Sequence, residues 1–402
     1  MLELKKKLNI KSQNYISILE IIKSKKHQAR LVGGVVRDAI IGIESQDVDI
    51  ATSMLPEEVT KVFNSLGQKV IPTGIKFGTV SVLYNGELFE VTTLRKDISS
   101  DGRHAEVEYT DDFYLDALRR DFTINALSYC PFEEKIYDYF DGIKDLESRC
   151  VRFIGDADSR IKEDYLRILR FFRFFGKFGN QIDKNSLKAC INNKSFLKNL
   201  SRERIKSEFD LILKLPNYSD IIILMDDSSI LQEILPISNL RLAKFIDAEI
   251  IAYKLDISLT NETKYALLFV LGGIISYTQL IDLKFSRIEA RAISNLLSMI
   301  QQQDIGELFL KKIWLENNNF AQFFVFLAVI FKVEKKIEKV FLELKDKQKP
   351  VFPVDGNDML SLGISSNKIG DELAYIQRKW IEKDFMLTKQ DLIDMAKQNH
   401  EK

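Results

Sequence analysis

Asp47 and Asp49 stand two residues apart on a segment that reads as a β-strand around 48–51. Strand side chains alternate between faces, so residues i and i+2 project together and bring two carboxylates within reach of shared cations. The chain has only three histidines, His27, His104 and His400, and three scattered cysteines, Cys130, Cys150 and Cys190. That composition speaks against a poly-histidine metal site, a zinc cluster or a disulfide framework, and leaves carboxylates and a hard cation, magnesium first, as the catalytic metal chemistry. Two magnesium ions on such a pair suit an in-line displacement at phosphorus, activating a hydroxyl and stabilising a departing pyrophosphate. Glu90, on a later hairpin strand, is a candidate third carboxylate. Upstream, Gly33-Gly34 separate a short buried strand, 28–32, from a helix at 35–41 that carries Arg37 and Asp38. Glycines between a strand and a helix start let backbone N–H groups approach a phosphate closely. Neither a GxGxxG nor a GK[ST] follows them, so a dinucleotide fold and a P-loop are unsupported. Taken singly, a Gly-Gly turn or an Asp-x-Asp is more often a plain turn, and Glu90 a surface strand residue.

Two further segments carry candidate chemistry. In LRRDFTINALSY, residues 118–129, Arg119, Arg120 and Asp121 open what reads as a helix, with Phe122, Ile124, Ala126 and Leu127 packing on the sheet. Asn125 lies in apolar sequence and needs partners for its amide, for which a sugar or the backbone is the expected contact. In EDYLRILRFFRFFGKF, residues 163–178, Tyr165, Ile168, Leu169, Phe172 and Phe175 share one helical face, while Arg167, Arg170 and Arg173 fan across the other. Asp164 and Arg167, three apart, read most simply as an intrahelical ion pair. The sharper alternative is a fixed acceptor beside a fixed donor fork. That pattern matches the exocyclic amine and adjacent ring nitrogen of cytosine or adenine, and opposes the carbonyl of uracil or guanine.

The segments that carry these residues are of two kinds. Residues 1–145 mix strand and helix signals: strands at 28–32, 48–51, 79–84 and 88–93, helices at 35–41 and 56–66, and Asn85-Gly86 as a hairpin turn. From about Ile161 the periodicity is helical to the end, an all-α remainder, with candidate breaks near Cys150, 216–219 and 347–353. No repeat or low-complexity tract appears. The total charge is balanced, 58 Lys+Arg against 58 Asp+Glu, yet residues 150–216 hold 15 basic against 8 acidic residues. Such a stretch is commonly a solvated helical face, and here it also fits a polyanionic partner. The opening MLELKKKLNI lacks an apolar signal, and the longest apolar run, 265–277, is too short for a bilayer span. A cytoplasmic protein with no membrane partner is the expectation.

In order and spacing, GGVVRD with DVD, RRDFTINAL, DGIKDL, EDYLRILRFFRF and RERIKSEF (202–209) resemble the class II CCA-adding tRNA nucleotidyltransferases and their relatives, the bacterial poly(A) polymerases. The resemblance implies an α+β fold: a polymerase-β-like nucleotidyltransferase head with a small mixed sheet, followed by an all-α neck, body and tail, placed at 1–150, 151–215, 216–345 and 346–402. It assigns magnesium to Asp47 and Asp49, and nucleotide contacts to Gly34, Arg37, Asp164, Arg167, Arg170, Arg173 and one of Arg119 and Arg120. It implies addition of C, C and A to tRNA 3′ ends from CTP and ATP, with release of pyrophosphate. Poly(A) synthesis or A addition alone is the alternative within the family, and an inactive-head tRNA-binding protein the alternative outside it. Bacterial poly(A) polymerases typically carry Pro after the template Asp, where this chain has Tyr165, which favours CCA addition. Two other segments are similar to CCA enzymes. Residues 351–384 resemble their C-terminal RNA-binding segment, although Leu362-Gly363 and Ile369-Gly370 read by themselves as helix-ending turns. The charged loop 94–106 resembles the loop used for the final A, with wording that departs from the usual one. Oligomeric state and the control of the C-to-A step are left open.

Overall fold

The computed structural model describes residues 2–400 apart from 6, 9, 11, 46, 101–104 and 303–304. The chain forms two compact units, Met1–Leu235 and Pro236–Lys402. That division differs from the breaks expected near Cys150, 216–219 and 347–353. One physical reason lies at residue 150, where β11 (Cys150–Val151) pairs in parallel with β12 (Gln181–Ile182) and ties the head to the helices after it. The segment after Ile161 is therefore helical apart from this two-residue ladder.

In the first unit, β1 (Leu2–Lys5), β2 (Ala29–Val32), β3 (Asp49–Thr52), β4 (Lys69–Gly74), β5 (Thr79–Tyr84) and β6 (Glu87–Thr93) precede a separate hairpin of β7 (Arg95–Ser100) and β8 (Ala105–Tyr109). With β9 (Ser128–Cys130) and β10 (Lys135–Asp138), the first six make one eight-stranded mixed sheet in the order β1-β10-β9-β2-β3-β6-β5-β4. The helices of this region are α1 (Asn14–Ser24), α2 (Gly34–Ile40), α3 (Pro56–Ser65), α4 (Phe113–Leu118) and α5 (Gly142–Glu147). Pro56 opens α3, where its missing N–H costs nothing, and the Glu58 carboxylate accepts the Leu55 N–H at 3.2 Å. Asn85 and Gly86 both take positive φ, as a two-residue hairpin turn requires. Apolar residues of the strands, among them Leu31, Ile50, Val82, Val91 and Tyr129, share one core with Ile18, Leu19 and Ile22 of α1 and with Val59 and Phe63 of α3. The expected charged loop at 94–106 is largely the β7–β8 hairpin, with 101–104, including Asp101, Gly102 and Arg103, outside the described residues.

Strand direction decides where the candidate residues meet. β2 runs antiparallel to both β3 and β9, while β3 runs parallel to β6. The end of β2, which feeds Gly33, thus lies beside the beginnings of β3 and β9. Asp49 and the segment 119–127 are delivered to the same sheet edge.

Two helix expectations need correction. Residues 119–127 do not form a helix; α4 stops at Leu118, Thr123–Asn125 make a single 3-10 turn, and β9 follows. The backbone here pairs across the chain instead, with Thr123 N–H donating to Arg152 O and Ile154 N–H to Asp121 O. The stretch 163–178 is likewise two helices, α6 (Ala157–Glu163) and α7 (Leu166–Phe178), broken at an extended Asp164 whose carboxylate accepts the Leu166 N–H at 3.1 Å. α7 buries Ile168, Leu169 and Phe172 as its period requires, and also Phe171, Phe174 and Phe178. Beyond it lie α8 (Lys184–Asn193), α9 (Arg202–Leu213), α10 (Tyr218–Asp227) and α11 (Leu231–Ile234).

In the second unit every described regular element is helical, from Leu242–Lys254 to Lys389–His400. Trp380, Ile376, Met359 and Leu392 centre a core that gathers its C-terminal helices. Gly363, at φ 78°, follows the helix Gly356–Ser361 as expected, whereas Ile369-Gly370 opens the helix Ile369–Glu382 and does not end one. Among the described residues no helix is long and apolar enough to cross a membrane.

The DGIKDL turn packs closely against the 3-10 turn Thr123–Asn125. Asp138 is buried and accepts the N–H groups of Phe140, Gly142 and Ile143 at 3.1, 2.9 and 2.9 Å. A Cβ on Gly142 would stand 2.3 Å from Thr123 O, a backbone atom of the 3-10 turn. Gly142→Ala is therefore expected to cost about 2–4 kcal/mol by forcing that turn outward, seen as a lower denaturant midpoint with unchanged slope.

Candidate active site

A cavity of about 790 Å³ opens at this sheet edge. Of the residues expected to carry chemistry, Gly33, Gly34, Arg37, Asp38, Asp47, Asp49, Arg119, Arg120, Asp121, Asn125, Asp164, Arg167, Arg170 and Arg173 all line it. Glu90 does not. It pairs with Asp49 in the parallel register of β3 and β6, is exposed, and acts on Asp49 only through its charge.

Asp49 begins β3, and Asp47 lies just before the strand on an exposed, irregular stretch, with Val48 buried between them. The alternation expected of a strand thus extends one step past its hydrogen-bonded end. Asp49 is pushed up to about 6 by burial first, then by the Glu90 charge, with Arg120 opposing and Asp47 adding. Mutual repulsion among acids at the mouth of a cavity is the electrostatic condition that a divalent cation relieves, and oxygen donors suit a hard one. The donor set is two carboxylates; among the described residues no group of three or more metal-ligating side chains is assembled.

Gly33 takes φ 70°, and its N–H donates to Leu127 O at 3.0 Å. A Cβ there would stand 2.8 Å from Arg120 Nη1, so the bare backbone is what lets that guanidinium reach the turn.

The arginines are held by acids. Arg37 is only 5% exposed; it donates through Nε and Nη2 to Asp38 and through Nη1 to Asn125 Oδ1, at 2.8, 2.7 and 2.5 Å, and lies 4.1 Å from the centre of the Phe178 ring. Burial draws its pKa below the ordinary arginine value despite Asp38. Asn125, for which a sugar or the backbone was the expected contact, spends its amide on two side chains, accepting from Arg37 and donating to Asp121 at 3.0 Å. Arg119 and Arg120 share the buried carboxylate of Asp116, at 2.7 and 3.1 Å. Arg170 grips Asp121 at 2.6 and 2.7 Å, and Arg173 pairs with the buried Glu208. For Asp116 and Asp121, burial alone would raise the pKa; the neighbouring guanidinium groups and hydrogen bonds outweigh it and hold both carboxyls below the usual range.

Asp164 and Arg167 face one cavity, yet they do not pair as an intrahelical bridge. Asp164 Oδ2 accepts from Arg204 at 2.7 Å, while Arg167 donates to Glu163 at 2.5 Å and to the carbonyls of Arg160 and Arg119 at 2.9 and 3.1 Å. The break between α6 and α7 separates their partners: Asp164 is turned toward α9, and Arg167 back along α6.

Residues 29–152 match the poly A polymerase head domain family, and residues 179–240 match the family described as the probable RNA and SrmB-binding site of polymerase A. The mitochondrial CCA tRNA nucleotidyltransferase 1 of Mus musculus is 34% identical over 393 residues, covering 95% of this chain and 89% of that protein. The chain belongs to the CCA tRNA nucleotidyltransferase family. The CCA-adding enzyme of Bacillus stearothermophilus in complex with CTP shares the fold at TM-score 0.76 and 24% identity, covering 97% of both chains. The Thermotoga maritima CCA-adding enzyme complexed with tRNA does so at 0.71 and 19%, covering 96% and 95%. The α+β head followed by helices is thus the fold of CCA-adding enzymes, and poly(A) synthesis and an inactive head are not favoured.

Seen as a CCA nucleotidyltransferase, the chain has site residues that sequence reasoning passed over. Arg204 and Lys177 line the cavity, and Asp116, Glu163 and Glu208 hold its arginines. Arg204 and Glu208 lie four apart on α9, inside the RERIKSEF motif, so helical spacing would have put both on one face.

Two outcomes follow. Gly33→Ala is expected to fold but to displace Arg120, lowering kcat/KM about tenfold or more in a nucleotidyl-transfer assay. Because Asp116 and Asp121 titrate below the unfolded value of about 3.9, the stability they supply is present above pH 4 and lost as pH falls through their lowered values. Asp121→Asn should be less stable than the parent at pH 6 and show a shallower loss between pH 4 and 2 in denaturant titrations.

Proposed function

We propose that this cavity performs template-independent addition of C, C and A to tRNA 3′ ends, using CTP and ATP and releasing pyrophosphate. The observation that carries the reading is the meeting, at one sheet edge, of the Asp47–Asp49 pair, the Gly33–Gly34 turn and an arginine-rich wall. Seven arginines and Lys177 line the cavity, and guanidinium forks match the paired oxygens of a triphosphate. Asp47 and Asp49 would hold magnesium, which would supply Lewis-acid chemistry to activate the 3′-hydroxyl and neutralise charge on the leaving group. The tRNA 3′-oxygen gives its proton to solvent water and forms a bond to the α-phosphorus, while the bond from that phosphorus to the α–β bridging oxygen breaks and the oxygen leaves with pyrophosphate. The backbone at Gly33 and Gly34 lies against the triphosphate, and Arg120, Arg170 and Arg173 hold it in line.

Asp164 and Arg167 read the incoming base. The Asp164 carboxylate, anchored through one lone pair on each oxygen, keeps others to accept an exocyclic amine. Arg167, held by three acceptors, keeps donors for a ring nitrogen. Cytosine and adenine both present that amine beside an unprotonated nitrogen, whereas uracil and guanine present a carbonyl to the carboxylate. The head, neck, body and tail assignment of residues 1–150, 151–215, 216–345 and 346–402 belongs to the same reading, as does a cytoplasmic location.

Purified protein with magnesium and tRNA lacking CCA is expected to add two C from CTP alone and C, C and A from both nucleotides, resolved by product length. A long A tract, or no addition, contradicts the reading. Asp47→Ala or Asp49→Ala should lower the rate at least about 1,000-fold. Asp164→Ala combined with Arg167→Ala should keep triphosphate binding yet admit UTP and GTP; an unchanged preference for C and A removes the base-reading role.

A further inference from the structure

A stacked aromatic pair stands beside the cavity and has no part in the assignments above. Tyr165 sits between Asp164 and Leu166, both of which line the cavity. Its ring stacks on Phe196 with centroids 4.8 Å apart and planes 13° from parallel. Phe196 does not line the cavity; it belongs to the 3-10 segment Lys194–Asn199, which leads into α9 and its cavity-lining Arg204. Leu197 is fully buried and pins that segment, while Phe196 keeps 41% of its surface exposed. One face of its ring is covered by Tyr165, and exposed area remains for a second flat partner. The apolar area of a single ring is far below what a stable protein interface needs, and matches one nucleobase. Two lysines share its segment. Lys194 spends its ammonium on Ser228 O at 3.2 Å, and Lys198, on the same turn, is exposed. Aromatic faces among basic side chains are the means by which unpaired nucleic acid bases are held with little regard to sequence.

We propose that Phe196, backed by Tyr165, is a stacking platform for one unpaired nucleobase of the RNA strand extended in the cavity, the base at the 3′ end of tRNA lacking CCA. The proposal rests on the tRNA-extending reading given above. The incoming base belongs at Asp164 and Arg167, so a platform outside the cavity but one residue along the chain serves the primer. Stacking tolerates all four bases, which suits a primer position that differs among tRNAs. Tyr165 joins the two sites: it backs the primer base and directly follows the residue that reads the incoming one.

The test measures the dissociation constant of a tRNA transcript lacking CCA, with either an intact or an abasic 3′-terminal nucleotide, for the parent, Phe196→Ala and Phe196→Trp. With intact RNA, Phe196→Ala should bind about tenfold more weakly and Phe196→Trp as well as the parent. The abasic RNA should lose a similar factor on the parent and nothing further on Phe196→Ala. KM for CTP at saturating tRNA should stay unchanged in Phe196→Ala. Equal affinity of the parent and Phe196→Ala for intact RNA overturns the platform, as does a penalty that adds in full when the variant meets abasic RNA. If Phe196→Ala fails to fold, parent and Phe196→Trp decide: equal binding of intact and abasic RNA by both overturns the proposal, and a loss on the abasic RNA for both sustains it. The dissociation constants require no turnover, so a parent that shows the binding pattern but adds no C or A sinks the proposed function and leaves the platform standing.

Discussion

The head depends on neutralising a crowd of guanidinium groups before any anion arrives. Seven arginines line one cavity, and like charges at such separations repel by kcal/mol amounts at a protein surface. The chain answers with acids placed behind them: Asp38 for Arg37, Asp116 for Arg119 and Arg120, Asp121 for Arg170, and Glu208 for Arg173. These four acids are buried, and a buried charge left without its partner is strongly destabilising. Each partner makes the other tolerable. The result is a wall of forks whose orientations are fixed from behind, leaving the remaining donors aimed at the cavity.

That wall is assembled by chain topology. Reversing β2 against both β3 and β9 places a glycine turn, an acid pair and the segment 119–127 at one edge, although they are far apart in sequence. The opposite side comes from α7 and α9, which contribute Arg170 and Arg173 on one helix and Arg204 and Glu208 on the other. The ion pair of Asp121 with Arg170 therefore joins the two halves of the site, and that of Asp164 with Arg204 ties α9 to the break between α6 and α7. Losing either element would remove one wall and also release the side chains of the other.

Much of this was legible in the sequence because it rests on short-range rules. Alternation placed Asp47 and Asp49 together, Asn85-Gly86 marked the hairpin, and a 3.6-residue period separated the aromatic face of 166–178 from its arginines. What escaped rests on long-range pairing. The segment 119–127 has a composition that suits a helix, but its backbone donors and acceptors are taken by Arg152 and Ile154, residues that no local pattern links to it. An amide in apolar sequence announces a need for partners, but only the fold supplies them, for Asn125 as Arg37 and Asp121. Asp164 and Arg167 looked like each other's counter-ions because three-residue spacing on one helix makes them neighbours. An extended Asp164 cancels that spacing, and only the folded chain shows that Arg204 and Glu163 take the two charges.

Under the proposed base-reading role of Asp164 and Arg167, their separation bears on selectivity. Had the two bridged each other, a nucleotide would have to break an ion pair before being read, and the energy of recognition would go into that exchange. Pairing each reader with a third residue keeps acceptor and donor apart while cancelling their charges. The cost of orienting them is then met during folding and not during binding. A base with the wrong hydrogen-bond pattern meets groups that cannot swing away, and it leaves them desolvated and unpaired, which disfavours it more strongly than the right base is favoured. Rigid readers discriminate chiefly by exclusion, and in the proposed role the fixed positions of Asp164 and Arg167 come from Arg204, Glu163 and the carbonyls of Arg119 and Arg160.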